Sequence, residues 1–150
     1  MAKFRFAFET VLRHRQTMED LAQKDFQEAM SFLSLENKKL EDLQNLKHEA
    51  FQNRHQKEVQ GGAQGPALTQ VHDFLKGQDL RIDQQKKKIQ AAEKLVEERR
   101  EVLRQKRVET KIIEGLRERK LEEFKREQGK LEQKRTDDMM TTRFKRTDQG

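Results

Sequence analysis

Apolar residues return at every seventh position along the second half of this chain. Leu75, Ile82, Ile89, Val96 and Leu103 form the column, Thr110 and Arg117 interrupt it, and Phe124 and Leu131 resume it. Val71, Ala92, Leu95, Val102, Ile113 and Leu116 widen the column into a seam, and KKK, EERRE, RQKR, RERK and KREQ fill the intervals with charge. A spacing of seven held from about Thr69 to Arg135 keeps one narrow face apolar on a supercoiled helix. Such a helix cannot bury its stripe alone, so the pattern predicts a partner, and residues 10–58 supply one. There the spacing alternates three and four through Leu12, Ala22, Phe26, Ala29, Leu33, Leu40 and Leu43, with Arg15, Glu19 and Glu36 at some seam positions. After Leu43 the spacing slips to Leu46 and Ala50, with Phe51 beside it, which predicts a local change of supercoil.

The two patterns are separated by GGAQGP at 61–66, three glycines and the only proline of the chain. That cluster predicts a hairpin loop; a flexible link between helices that pair with other chains is the alternative. The predicted fold is all-α, a long two-helix antiparallel coiled-coil hairpin forming one domain over 1–150. Helix one covers about 10–58, the loop 59–68 and helix two about 69–140, with a frayed tail beyond. Thr10 and Thr69 are the expected caps, Asp73 suits the start of helix two, and Pro66 ends the preceding segment. Folding at the loop pairs positions whose numbers sum to about 127. Leu12 then faces the region of Gly115, and helix two outruns its partner from about Leu116 to Met140, on the order of 35 Å. The overhang offers Glu122 to Arg126 and Glu127 to Lys130 as pairs along the helix. Gly77, Gly115 and Gly129 are candidate bends. Phe4, Phe6 and Phe8 alternate as a strand would, but no second strand is nearby, so the expectation is a frayed or ligand-ordered lead-in.

Composition narrows the classes. Of 150 residues 40% are charged and 32% hydrophobic, too few apolar side chains for a multilayer core but enough for a helical pair. Disorder shares that composition, but about 80 residues of patterned Leu, Ile and Glu without proline favour helix. No cysteine is present, so no disulfide framework or thiolate chemistry enters. No run approaches the ~18 apolar residues that cross a membrane. The opening MAKFRFAFETVLRHR lacks the apolar core and cleavage site of a secretory signal, and Glu9, Glu19 and Asp20 weaken a transit-peptide reading. The expected location is cytoplasmic. The net charge of +6 sits on helix two: residues 1–60 carry ten basic and ten acidic side chains, residues 67–150 carry 23 and 17. An acidic protein surface, a headgroup layer or weak nucleic-acid contact fits that excess.

No catalytic constellation emerges. A two-helix coil has no enclosure that excludes water, GGAQG lacks the Lys-Ser/Thr of a phosphate loop, and Glu122 and Glu123 do not face each other. His48, His55 and His72 fall near one another under the folding sum, but zinc wants a further ligand, and solvated histidines account for them. No cofactor and no metal is expected. A basic-region zipper would need a dense basic block before the heptads; here Lys and Arg are mixed with Glu throughout, so no nucleic acid is expected as partner.

Two stretches go beyond a generic coil. FRFAFETVLRHRQTMEDLAQKDFQEA and IIEGLRERKLEEFKREQGKLEQKRTDDM resemble the two ends of the FliJ family of flagellar export proteins, in order and at the right length. The resemblance implies an antiparallel coiled coil similar to the central stalk of rotary ATPases, without catalysis of its own. It implies a stalk whose paired termini enter the hexameric export ATPase and promote its assembly and activity. The implied further partners are the cytoplasmic linker of the transmembrane export gate protein and the export chaperones, which the stalk helps cycle at the inner face of the membrane. Carried onto this chain, the ATPase-ring contacts would be Phe8, Val11, Leu12, Arg15, Arg117, Arg119, Lys120, Phe124, Arg126, Glu132, Gln133 and Lys134. The export-gate contacts would be Leu46, Phe51 and Phe74, with no tyrosine available. The folding sum leaves the Phe51 and Phe74 rings near one another, either as an external anchor or as seam packing. The equivalent stalk of a virulence injectisome is a sister reading, and a generic coiled-coil scaffold, which favours a long parallel dimer, is a reading of another class.

Overall fold

The computed structural model describes residues 2–59 and 65–148, and the greater part of the GGAQGP turn lies outside them. Two helices, α1 (Glu9–Val59) and α2 (Gly65–Asp148), form an antiparallel coiled-coil hairpin. The chain divides into two compact units, residues 1–19 with 105–150, and residues 20–104. In a two-helix coil each turn touches only what lies directly across, so contacts cluster locally along the pair.

The helix ends differ from the expected ones. α1 starts at Glu9, so Thr10 lies inside it, and the Phe8 carbonyl accepts the Leu12 N–H at 2.9 Å. α2 starts at Gly65, four residues before Thr69, whose hydroxyl donates to the Gly65 carbonyl at 2.9 Å instead of capping. Pro66 therefore opens the second helix and does not merely close the first; its fixed φ and missing N–H suit a first helical turn. The tail expected to fray from 141 is helical to Asp148, with Lys145 and Arg146 in its last turn where cations meet the negative helix end. α2 also runs helically through Gly77, Gly115 and Gly129.

The seven-residue column is the seam. Leu75, Ile82, Ile89, Val96, Leu103 and Thr110 are all buried, each apolar member worth ~1.5–3 kcal/mol. Leu12, Ala22 and Ala29 of α1 are buried with them. The expected slip after Leu43 does not occur. Leu46 is exposed, while Lys47, Ala50 and Arg54 are half-buried and carry the three-four alternation onward. The stem of Lys47 lies at the seam while its ammonium reaches Asp79 at 2.7 Å, so a lysine fills a place that apolar counting skips. On α2 the seam ends with Phe124; Leu131 is exposed.

The second column of the α2 seam holds two buried glutamines. Gln78, 2% exposed, donates through Nε2 to the Leu43 carbonyl at 2.8 Å and accepts from Arg81 at 2.8 Å. Gln85 donates to the Glu36 carbonyl at 2.9 Å and to Glu36 Oε2 at 2.6 Å. Lys39 Nζ reaches Glu36 Oε1 at 3.0 Å, and that hydrogen bond, then the one from Gln85, holds the Glu36 carboxyl below its ordinary pKa against the opposing pull of burial. Among the described residues no buried side-chain polar atom lacks a partner. Each glutamine reads a main-chain carbonyl across the seam, so a slide of part of a heptad would strand it, and the Glu36 carboxylate distinguishes one heptad from the next.

Because its folded pKa is depressed, Glu36 contributes stability that is complete above the ordinary carboxylate range and disappears as pH falls through the folded value. Gln85→Ala should cost about 1–3 kcal/mol at pH 7 and move acid unfolding to higher pH, read by circular dichroism melts across pH. Replacing Glu36 and Gln85 together by leucine should restore the melting temperature at pH 7, since a buried polar pair is often no more stable than apolar packing.

Candidate functional site

The unit formed by residues 1–19 and 105–150 contains most of the candidate residues. Its helices are tied by ion pairs across the seam: Arg15 to Glu109 at 2.8 Å, Glu19 to Arg107 at 3.6 Å and Glu9 to Arg117 at 3.2 Å. These partners sum to about 124–126, close to the expected 127. Leu12 and Thr110 are buried between them.

The lead-in is seated and not frayed. Residues 2–6 are non-helical, and residues 7 and 8 turn the chain into α1, with the Glu9 N–H donated to the Phe6 carbonyl at 3.3 Å. The Phe4 ring packs on Phe124 at a centroid distance of 5.6 Å, and the Arg117 guanidinium lies 5.6 Å from the Phe4 ring centre. Phe6 and Phe8 meet edge to face at 5.8 Å. Arg117 thus holds both Glu9 and Phe4, a charge pair and a cation–π contact on one side chain. The three phenylalanines, Lys120, Phe124 and Glu127 line an open apolar groove of about 630 Å³.

The ring-contact candidates divide on this geometry. Leu12 is a seam residue with its side chain buried, Arg15 and Arg117 are half-buried in ion pairs, and Phe124 is half-buried against Phe4. Phe8, Val11, Arg119, Lys120 and Arg126 are exposed, with Arg119 donating to the Gly115 carbonyl at 3.4 Å and Lys120 beside Glu123 at 3.4 Å. Glu132, Gln133 and Lys134 stand on a helix that is exposed at every position from Gly129 to Thr147. The lead-in accompanies α2 as far as Glu127, so the lone stretch begins about a dozen residues later than Leu116 and is about 30 Å long. Phe4 and Phe6, expected as part of a frayed or ligand-ordered lead-in, instead belong to this site, and the folding sum, carried past the start of α1, sets Phe4 against Phe124.

The gate candidates all lie in the unit formed by residues 20–104. Phe51 is 57% and Phe74 39% exposed, so neither is seam packing, and each carries its own arginine, Arg54 at 6.0 Å and Arg81 at 5.9 Å. Phe51 follows the seam position Ala50, whereas Phe74 precedes the seam position Leu75. In an antiparallel pair those neighbours fall on opposite flanks, so the expected proximity of the two rings is corrected. Leu46 shares the flank of Phe74.

Among the described residues no group of His, Cys, Asp and Glu could hold a metal, and no helix is long and apolar enough to cross a membrane. The family described as flagellar FliJ protein matches residues 4–149. The chain belongs to the FliJ family. It is accordingly a non-enzymatic stalk component of a flagellar or type III export apparatus, a family whose members engage the export ATPase and gate components. No curated protein matches the chain. Among solved structures it is similar to CT670 of Chlamydia trachomatis, described as a YscO homolog, at 22% identity and a TM-score of 0.65, with 99% of each chain covered. At that identity the likeness concerns the fold.

The seated lead-in gives a direct check on this end of the FliJ-family coil. A double-mutant cycle with Phe4→Ala and Phe124→Ala, read by thermal unfolding, should return a coupling of about 0.5–1.5 kcal/mol. Independent effects of the two substitutions would show that the rings do not meet in solution.

Proposed function

We propose that this stalk enters the hexameric export ATPase with the end that carries both termini, promoting ring assembly and ATP turnover without touching the phosphates. The observation that supports this reading most is the helix from Gly129 to Thr147, exposed on every side, standing beyond a base where Phe4, Arg117 and Phe124 hold the start of the chain against α2. A single helix about 10–12 Å across is slender enough for a pore that a helical pair would fill. Between Gly129 and Thr147 it carries six basic and three acidic side chains. Mixed exposed charges of this kind give many weak contacts, each ~0–1 kcal/mol, and suit six changing subunit surfaces better than one fixed ion pair. The net positive charge adds long-range attraction to an acidic lining. Val11, Arg119, Lys120, Arg126, Glu132, Gln133 and Lys134 are the contacts of this proposal, with Phe8 at the rim of the groove. Leu12, Arg15, Arg117 and Phe124 support them from within.

The same reading gives the flank of Leu46 and Phe74 to the cytoplasmic linker of the export gate, and includes a role in cycling export chaperones at the inner face of the membrane. The equivalent stalk of an injectisome is a second reading, and the coiled-coil fold serves both. Complementation of a stalk deletion in each system separates the two.

Truncation after Gln128 removes the lone helix while keeping Phe124, Arg117 and the seated lead-in, so the hairpin should retain its fold. Full-length protein should stimulate hexamer formation and hydrolysis by the export ATPase, less at high salt, and the truncated form much less; equal stimulation by both would remove the lone helix, with Glu132, Gln133 and Lys134, from the ring contact. For the gate, Phe74→Ala should weaken binding of the linker by about 2 kcal/mol, and Phe51→Ala by much less, in calorimetric titration. Equal losses would mean that the linker wraps both flanks.

A further inference from the structure

The seam does not use all the apolar side chains of α1. Leu21, Phe32, Leu35 and Leu46 are 53, 48, 59 and 50% exposed. At 100° per residue they fall within an arc of about 60°, on one flank of the helix. Ala91 and half-buried Leu95 of α2 border that flank, and Phe32 joins them in a shallow groove. All these residues belong to the unit formed by residues 20–104. An exposed apolar row on a helix whose seam is already filled marks an interaction surface.

The order of residues along the row identifies the occupant. Read with its charged members it runs Leu21, Asp25, Glu28, Phe32, Leu35, Lys39, Asp42, Leu46. Turned end for end about the midpoint between Leu33 and Ser34, it sets Leu21 on Leu46, Phe32 on Leu35 and Glu28 on Lys39. We propose that this flank pairs with the same flank of a second copy of the chain, antiparallel, across a two-fold axis at that midpoint. A two-fold interface brings residue i to j and j to i, so each apolar meeting and each Glu28–Lys39 pair occurs twice. Lys39 already bonds Glu36 Oε1, but its side chain is 63% exposed and an ammonium has three donors, so it serves both carboxylates. Asp25 with Asp42 is the one like-charged pair, and it opposes association. The row is about 38 Å long and, on a helix ~10 Å wide, covers on the order of 400 Å² per copy. An interface of that size gives a weak dimer in fast exchange. Leu46 is shared with the proposed gate surface, so the second copy and the gate linker compete for it.

The chain has no cysteine, which makes single-cysteine variants of the full-length protein unambiguous probes. Leu21→Cys mixed with Leu46→Cys, under mild oxidation at high protein concentration, should give a disulfide dimer between the two variants. Either variant alone should give little, since like positions stand about 38 Å apart in the antiparallel pair. Ready dimers from Leu21→Cys alone would show parallel pairing and overturn the proposal. In sedimentation equilibrium, Phe32→Glu with Leu35→Glu should weaken self-association at least tenfold at unchanged helicity. Asp42→Lys should tighten it severalfold, because both like-charged pairs become opposite-charged. A chain that stays monomeric at several hundred micromolar, with or without Asp42→Lys, would overturn the second-copy reading and leave the flank to a foreign helix.

Discussion

The hydrogen bonds from Gln78 and Gln85 to carbonyls of the opposite helix are the constraint on which the rest of the hairpin depends. Apolar seams are forgiving: a column of Leu, Ile and Val packs nearly as well one heptad along as in its native place. A buried amide has less freedom, because a slide of part of a heptad leaves its donor without water or partner, and the bond from Gln85 to the Glu36 carboxylate is offered at one heptad alone. Gln85 bonds the Glu36 carbonyl and its carboxylate, and Gln78 bonds the Leu43 carbonyl, one heptad away on both helices. With the Glu36 carboxylate singling out the heptad, these bonds fix the register of the unit formed by residues 20–104. Which side chains face outward on its flanks follows from that register, and so do the positions of Phe51, Phe74 and the α1 row.

The unit containing the termini solves the same problem with charge. Arg15–Glu109, Glu19–Arg107 and Glu9–Arg117 cross the seam where apolar residues thin out. Each is partly exposed, so each contributes little alone. Arg117 gains from a second contact, its guanidinium lying against the Phe4 ring while bonding Glu9. The ring of Phe4 in turn covers Phe124, the last half-buried member of the main column. Beyond that point α2 has only its own hydrogen bonds and the absence of proline to keep it helical.

Much of this was legible in the sequence because the period of seven is a physical demand, not a statistical preference. A stripe that stays apolar every seventh residue must face another helix, and GGAQGP separates the two stripes so that they can pair within one chain. What escaped apolar counting were seam positions filled by other chemistry. Gln78 and Gln85 sit in the second column of α2 but look like surface glutamines in a charged sequence. Lys47 and Arg54 keep the α1 seam in step by lending their stems, and skipping them produced a slip toward Leu46 that the helix does not make. The lead-in escaped for the opposite reason: Phe4, Phe6 and Phe8 repeat every second residue, so helical periodicity is blind to them. Of the candidate site, the exposed charges of the lone helix were readable as surface. The supporting roles of Leu12, Arg15 and Arg117 needed the fold.

The distinction between support and surface runs along α2 itself. A residue that holds the two strands of the coil together cannot also rearrange against a partner without loosening its own base. At the end that carries the termini, the interactions that close the coil stop near Glu127, and every position from Gly129 to Thr147 is free to meet another surface. At the base Phe4, Glu9, Arg117 and Phe124 engage one another, while the helix beyond it is exposed at every position from Gly129 to Thr147. A shaft built this way separates anchoring from contact along one helix. Substitutions beyond Gly129 fall on exposed helix, whereas substitutions in the base disturb the contacts that close the coil.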